Sequence, residues 1–162
     1  VNEAILAAAQ GLPTRSFPAG ADIIVEGTPQ HALYVLAEGA VEVSRDAVPI
    51  ATIDEPGSIF GELAVLLQSP ATATVRALSP CTFWVPDSPT EFLETQPAVA
   101  LAVALTLARR LDLVTGYLAD LRNQYAGRED HLGVVDVVLE SLSHQQGRPA
   151  DPGSDRETEA PY

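Results

Sequence analysis

Short apolar runs recur along the first half of the chain, each too brief for a helix and each closed by glycine or proline. They fall at residues 23–25, 33–36, 41–44, 50–53, 74–77 and 82–85. Pro18, Gly20, Gly27, Gly39, Pro49, Pro56, Gly57 and Pro80 lie between them. Strands this short and this evenly spaced predict a small β-barrel or jelly roll. Residues 2–10 have a helical composition that Gly11 and Pro13 bring to an end. Two further helical turns are expected, one interrupting the strands at 61–67 and one after them at 89–94.

Beyond Pro97 the period changes. Leu107, Leu111, Val114, Leu118, Leu121 and Tyr125 follow one another at spacings of 4, 3, 4, 3 and 4, and Ala100 and Ala104 continue the phase backward. This is an a/d seam with a 3.5-residue repeat, the pattern of a helix that faces another helix. It predicts a homodimer through residues 100–125; the competing reading packs the same seam on the chain's own barrel. Gly116 lies off the seam. Gly127 interrupts the pattern, and residues 130–144 form a second helical pattern with Leu132, Val135, Leu139 and Leu142 on one face. Either one long helix runs through Gly127 or a second helix turns back there, and Gly127 with Gly133 favours the break. The remaining residues are polar, acidic and rich in proline and glycine, as in a disordered tail. The expected fold is mainly β with α: a β-barrel or jelly roll with a short N-terminal helix, a one-turn inserted helix and a long C-terminal helix. Its parts are a domain over 1–126, an additional helix over 127–144 and an acidic tail over 145–162.

Charge narrows the choice of partner. The net charge is −13, all nine basic residues are arginine, and there is no lysine. Nucleic-acid affinity rests on a basic face, so none is expected. The most apolar stretch, residues 98–107, is half the length of a membrane span and runs into Arg109 and Arg110, so no membrane association is expected. The first residues carry no basic start followed by an apolar run and a cleavage site. Cys81 is the single cysteine, which rules out an internal disulfide, and its apolar neighbours read as those of a buried structural thiol. A cytoplasmic location follows from these features. His31, His131 and His144 have no metal-ligand spacing, and no nucleophile, base and acid converge in the sequence. No metal, no cofactor and no enzymatic activity are expected.

The segment with chemical content runs from Pro56 to Ala77. Pro56 and Gly57 form a turn, Phe60 is an apolar anchor, and Gly61 opens a short helix where the missing side chain lets a ligand approach the backbone. The first N–H groups of a helix have no partner within it and can receive an anion. Glu62 stands in that first turn, either as a ligand residue or as a carboxylate that the helix dipole favours by itself. Leu63, Leu66 and Leu67 are expected to hold the turn to the barrel, and residues 73–77 to return as a strand.

Residues 60–64, Phe-Gly-Glu-Leu-Ala, and 73–77, Ala-Thr-Val-Arg-Ala, resemble the phosphate-binding cassette of cyclic-nucleotide-binding domains. That family includes bacterial catabolite-activator-type regulators and the regulatory subunits of cyclic-AMP-dependent kinase. Residues 17–20, 23–27 and 33–39 resemble its glycine-punctuated strands, and 107–111 the start of its dimerisation helix, so the likeness covers roughly 12–125. The resemblance implies a non-enzymatic regulatory or sensor protein. It implies that Gly61, Glu62 and the following Leu63 offer backbone N–H groups to a cyclic phosphate. Glu62 would also accept the ribose 2′-hydroxyl, and Ala64 would stand beside the phosphate. Thr72 matches the small or hydroxylated position after the cassette arginine. Of the two base-facing hydroxyl positions on the long helix, one is Val114 and the other is kept as Thr115. The arginine that pairs with the phosphate should follow Pro70, and this chain has Ala71 there.

A charge-assisted hydrogen bond contributes roughly 1.5–3 kcal/mol, and arginine meets phosphate with two of them. Its loss should cost on the order of 10- to 1000-fold in affinity. Arg76 lies five positions after Ala71, an odd offset that turns it to the opposite face of a regular strand; Ala71, Ala73 and Val75 would face the pocket. Cyclic AMP or cyclic GMP is the ligand the resemblance names, with binding weakened, altered or absent. The alternative is a degenerate, dimerising interaction module that binds no nucleotide.

Overall fold

The computed structural model describes residues 2–124 and, beyond them, Val135, Val137, Val138, Leu139 and Leu142. Tyr125, the junction at Gly127, most of the helix expected over 130–144 and the tail over 145–162 lie outside the described residues. The chain divides into two compact units, 1–106 and 107–162. The first begins with helix α1 (Asn2–Ala9) and continues as β1 (Thr14–Phe17), β2 (Asp22–Ile24), β3 (Tyr34–Glu38), β4 (Val41–Arg45), β5 (Val48–Ile53) and β6 (Ile59–Phe60). Helix α2 (Glu62–Leu67) follows, then β7 (Thr74–Ala77), β8 (Cys81–Trp84), α3 (Pro89–Thr95) and α4 (Pro97–Gln124). No helix among the described residues is long and apolar enough to cross a membrane.

The strands form two antiparallel four-stranded sheets, ordered β1-β8-β3-β6 and β2-β7-β4-β5. This is the expected jelly-roll architecture. Six of the strands coincide with the apolar runs. The other two, β1 and β6, had no pattern to announce them. Strand β1 is Thr-Arg-Ser-Phe with its first three residues exposed; it joins the sheet through its backbone ladder to β8, from Thr14 opposite Trp84 to Phe17 opposite Cys81. Strand β6 is two residues long, opposite Tyr34 and Val35.

Alternation along the strands sorts side chains into two cores. On β3 and β8, Tyr34, Leu36, Cys81 and Phe83 point between the sheets, together with Ile23, Ile24, Val41, Phe60, Ala71, Val75 and Ala77. Val35 points the other way and packs with Ile5 and Ala9 of α1 and Ala102 of α4, while Trp84 lies against the same cluster. Strand β3, near the middle of the β1-β8-β3-β6 sheet, is thus buried on both faces. Phe83 is fully buried and meets three rings edge-on: Phe17 at 5.8 Å, Tyr34 at 5.7 Å and Phe60 at 6.2 Å between centroids. Such pairs contribute about 0.5–1.5 kcal/mol each beyond the area they bury.

Cys81 is buried, as its apolar neighbours suggested, and its Sγ donates to the carbonyls of Ala40 and Ser79, both at 3.2 Å. It fits there because residue 39 has no side chain. Gly39 has φ +100°, and a Cβ on it would lie 2.5 Å from the Pro80 carbonyl oxygen, 2.7 Å from Cys81 Sγ and 2.9 Å from Cys81 Cα. Two of those three atoms are backbone and cannot swing aside. Gly39→Ala combines a left-handed conformation, costing about 1–2 kcal/mol, with overpacking, costing about 1–3 kcal/mol. Urea titration should therefore show a loss of about 2–5 kcal/mol; a change below about 0.5 kcal/mol, the usual range for an inert surface site, would contradict this account.

Candidate functional site

Phe60 ends β6 inside the core, so the next residue must leave the sheet at a fixed place. Gly61 does so with φ 85° and ψ 1°, and it is the N-cap of α2 without a side-chain capping bond. The chain passes close to the β2–β3 loop here. A Cβ at residue 61 would lie 2.5 Å from the Ala32 carbonyl oxygen, 3.5 Å from Gln30 Nε2 and 3.6 Å from Ile24 Cδ1. Gln30 Nε2 itself donates to the Ala32 carbonyl at 3.3 Å. Glycine is required twice over, for the backbone angle and for the space.

The first intrahelical bond of α2 is from the Val65 N–H to the Gly61 carbonyl at 3.1 Å. The N–H groups of Glu62, Leu63 and Ala64 precede it and so point along the axis beyond the helix N-terminus. Glu62 is buried at 7% exposure, Ala64 at 2%, and Leu63 is half-buried. The helix stops at Gln68, which is left-handed with φ 51° and returns its N–H to the Ala64 carbonyl. Leu66 and Leu67 do not hold the turn to the barrel as expected: they are 50% and 68% exposed. The buried residues of α2 are Glu62 and Ala64.

After the turn, Ala71 is fixed on both sides. Its N–H donates to the Thr28 carbonyl at 2.9 Å, and its carbonyl accepts from the Gly27 N–H at 2.8 Å. Its methyl is 6% exposed and belongs to the core between the sheets. Thr72 and Ala73 are half-buried. Val75 and Ala77 point inward and Arg76 outward, as the strand period required. Arg76 is taken up on that outer face: its Nε donates to Asp22 Oδ1 at 2.6 Å and its second guanidinium nitrogen to Asp22 Oδ2 at 3.2 Å. The fork of two bonds holds the Asp22 carboxyl below the usual carboxylate range, and the Asp22 carboxylate raises Arg76 in turn.

Gly61, Glu62, Leu63, Ala64, Ala71 and Thr72 are thus brought to one segment of the first unit. Gln30 and Ala32 join them through a loop that carries no signal of its own in the sequence. Thr115 belongs to the second unit, where its hydroxyl donates to the Leu111 carbonyl at 2.7 Å, a bond within its own helix. A cavity of about 290 Å³ lined by Pro13, Thr14, Arg15, His31, Ala32, Val85, Pro86, Asp87 and Pro89 shares only Ala32 with these residues. Among the described residues, no group of three or more histidine, cysteine, aspartate or glutamate side chains could hold a metal.

The family model of the cyclic nucleotide-binding domain matches residues 14–95. The chain belongs to this family. Its cyclic-nucleotide-binding domain is 38% identical over 85 residues to the cAMP-dependent protein kinase regulatory subunit of Yarrowia lipolytica, covering 52% of this chain and 22% of that protein. Over 128 residues the chain is 31% identical to the CRP-like cAMP-activated global transcriptional regulator of Mycobacterium tuberculosis, covering 73% of this chain and 55% of the regulator. The catabolite activator protein of Thermus thermophilus superposes with a TM-score of 0.64 at 26% identity, covering 75% of this chain and 60% of that one. The chain spans about a fifth to about half of the length of these two curated relatives.

Within the cyclic-nucleotide-binding domain, the Asp22–Arg76 pair gives a pH-dependent test. A carboxyl whose folded pKa is depressed adds stability that is present above its unfolded pKa and is lost as pH falls through the folded value. Arg76→Ala should raise the Asp22 carboxyl back to the ordinary carboxylate range, read from its side-chain carbon shift in an NMR titration. Because Arg76 faces away from the core, the same substitution should leave any heat of nucleotide binding unchanged.

Proposed function

We propose that this chain is a non-enzymatic regulatory or sensor module of the cyclic-nucleotide-binding family in which affinity for cyclic AMP or cyclic GMP is weakened, altered or lost. Ala71 carries this reading. It stands where the family's cassette has its phosphate arginine, and Arg76, the nearest replacement in sequence, is turned outward and tied to Asp22. Gly61, Glu62, Leu63, Ala64 and Thr72 otherwise match the family's cassette pattern in sequence, which supports the reading. The relatives' names support a regulatory role: one is a kinase regulatory subunit and another a transcriptional regulator. The net charge of −13 and the absence of lysine disfavour nucleic acid as a direct partner.

A second reading concerns assembly. In the second unit, α4 exposes several large apolar side chains: Leu111 at 45%, Leu113 at 75%, Val114 at 49% and Tyr117 at 63%. Leu107, Leu118 and Leu121 of the seam are half-buried. Exposed apolar surface of this kind favours a homodimer through residues 100–125.

Titration calorimetry tests the ligand reading. The wild-type chain should give weak or no heat with cyclic AMP and cyclic GMP, and Ala71→Arg should strengthen binding on the order of 10- to 1000-fold, one or two charge-assisted bonds' worth. Tight wild-type binding of either cyclic nucleotide sinks the proposal. Sedimentation tests the dimer: the wild type should run as a dimer at micromolar concentration, and a Leu111→Glu, Leu118→Glu double variant as a monomer. A wild-type monomer at high micromolar concentration rules the assembly out.

A further inference from the structure

The cavity beside β1 carries charged groups that the cassette does not use. Its volume of about 290 Å³ is at the small end of the range for small-molecule sites. Among its lining residues Val85 and Pro86 are buried, Ala32 and Pro89 are half-buried, and Arg15, His31 and Asp87 are exposed. An apolar floor thus lies beneath a charged mouth.

The walls are stiff. The Val85 N–H donates to the Pro13 carbonyl at 2.8 Å, which ties the entry of β1 to the exit of β8. Arg15 follows as a rung of the β1–β8 ladder, opposite Phe83. Asp87 stands between Pro86 and Pro89. A proline fixes its own φ and restricts the residue before it, so the backbone carrying Asp87 is largely set before any ligand arrives. A preformed site loses little affinity to ordering its own groups.

The charges at the mouth are opposite, yet they are not spent on each other. No side-chain hydrogen bond or ion pair joins Arg15, His31 or Asp87 to another described residue. Arginine offers a fork of N–H donors that fits a carboxylate, imidazole presents at least one N–H, and an ionised aspartate only accepts. A simple anion is attracted by Arg15 and repelled by Asp87, and a simple cation meets the reverse. A ligand that carries both charges is matched at both places, and the floor suits an apolar side chain.

We propose that this cavity binds a small apolar α-amino acid as its zwitterion. The carboxylate meets Arg15 and His31, the ammonium meets Asp87, and the side chain rests on Val85 and Pro86. The proposal is independent of what the cassette binds.

An amide NMR titration of the full chain with L-leucine tests this. A ligand of this size should bind with a Kd on the order of 1–10 mM. Its shifts should saturate and centre on Thr14, Arg15, His31, Ala32, Val85 and Asp87, the lining residues that have an amide N–H. 4-Methylpentanoate and 3-methylbutylamine keep the leucine side chain with one charge each. Both should bind about two- to fivefold more weakly, the effect of losing one exposed ion pair. Arg15→Gln should weaken leucine and 4-methylpentanoate by a similar factor and leave 3-methylbutylamine unchanged. Asp87→Asn should weaken leucine and 3-methylbutylamine and leave 4-methylpentanoate unchanged. Both residues are exposed, and unchanged amide shifts away from the cavity check that the variants fold. Leucine shifts that do not saturate, or that centre elsewhere, overturn the proposal. So do two folded variants that affect all three ligands alike or affect none.

Discussion

Phe83 is the point from which the barrel is organised. It lies on β8 and touches one ring from each other strand of its sheet: Phe17 on β1, Tyr34 on β3 and Phe60 on β6. Edge-to-face contact fixes both distance and angle, so three such contacts set the places of three strands at once. The contact with Phe60 has the longest reach. Phe60 is the last residue of β6 and Gly61 the next, so the anchor of the sheet is also the anchor of the cassette. Gly61 can turn away only because its backbone accepts φ 85° and because the Ala32 carbonyl occupies the space a side chain would need. The loop carrying Gln30 and Ala32 and the N-terminus of α2 are thereby placed against each other without any ligand.

Two properties that the family combines at this place are separable here. The backbone at Ala71 is held by Thr28 and Gly27, and its methyl is part of the core. None of these interactions uses a long side chain. The reverse holds for Arg76, whose bond to Asp22 on the outer face joins β7 to β2 and contributes nothing to an interior anion.

Local pattern carried most of the fold. Strands whose apolar residues alternate or cluster, such as β3 and β8, were legible because one or both faces are buried. Strand β1 was not, because its polar residues face solvent and only its ladder to β8 holds it. In the cassette, Gly61, Glu62 and Ala71 were legible from motif and spacing. The outward turn of Arg76 followed from the two-residue period, but its partner did not: Asp22 reaches Arg76 through the β2–β7 register, which shifts between Asp22 and Ile24. Gln30 and Ala32 were hidden for the same reason, as two loops separated by about thirty residues meet only once the strands are paired. The outward exposure of Leu66 and Leu67 contradicted a rule that works for longer helices. With so few residues in α2, the buried carboxyl of Glu62 takes a place that an apolar side chain would otherwise fill.

The segment from α2 to α4 is tightly joined. Helix α2 lies against α3, and α3 reaches α4 through the single residue Gln96. The Gln96 N–H bonds to the Phe92 carbonyl at 3.1 Å, and its own carbonyl accepts from Val99 and Ala100, both at 3.0 Å. Phe92 and Leu93 are buried on α3, as are Val99, Ala102 and Val103 at the start of α4. A joint of one residue, bonded on both sides and packed before and after, has little freedom to absorb a displacement. This joint is made of backbone bonds and apolar packing.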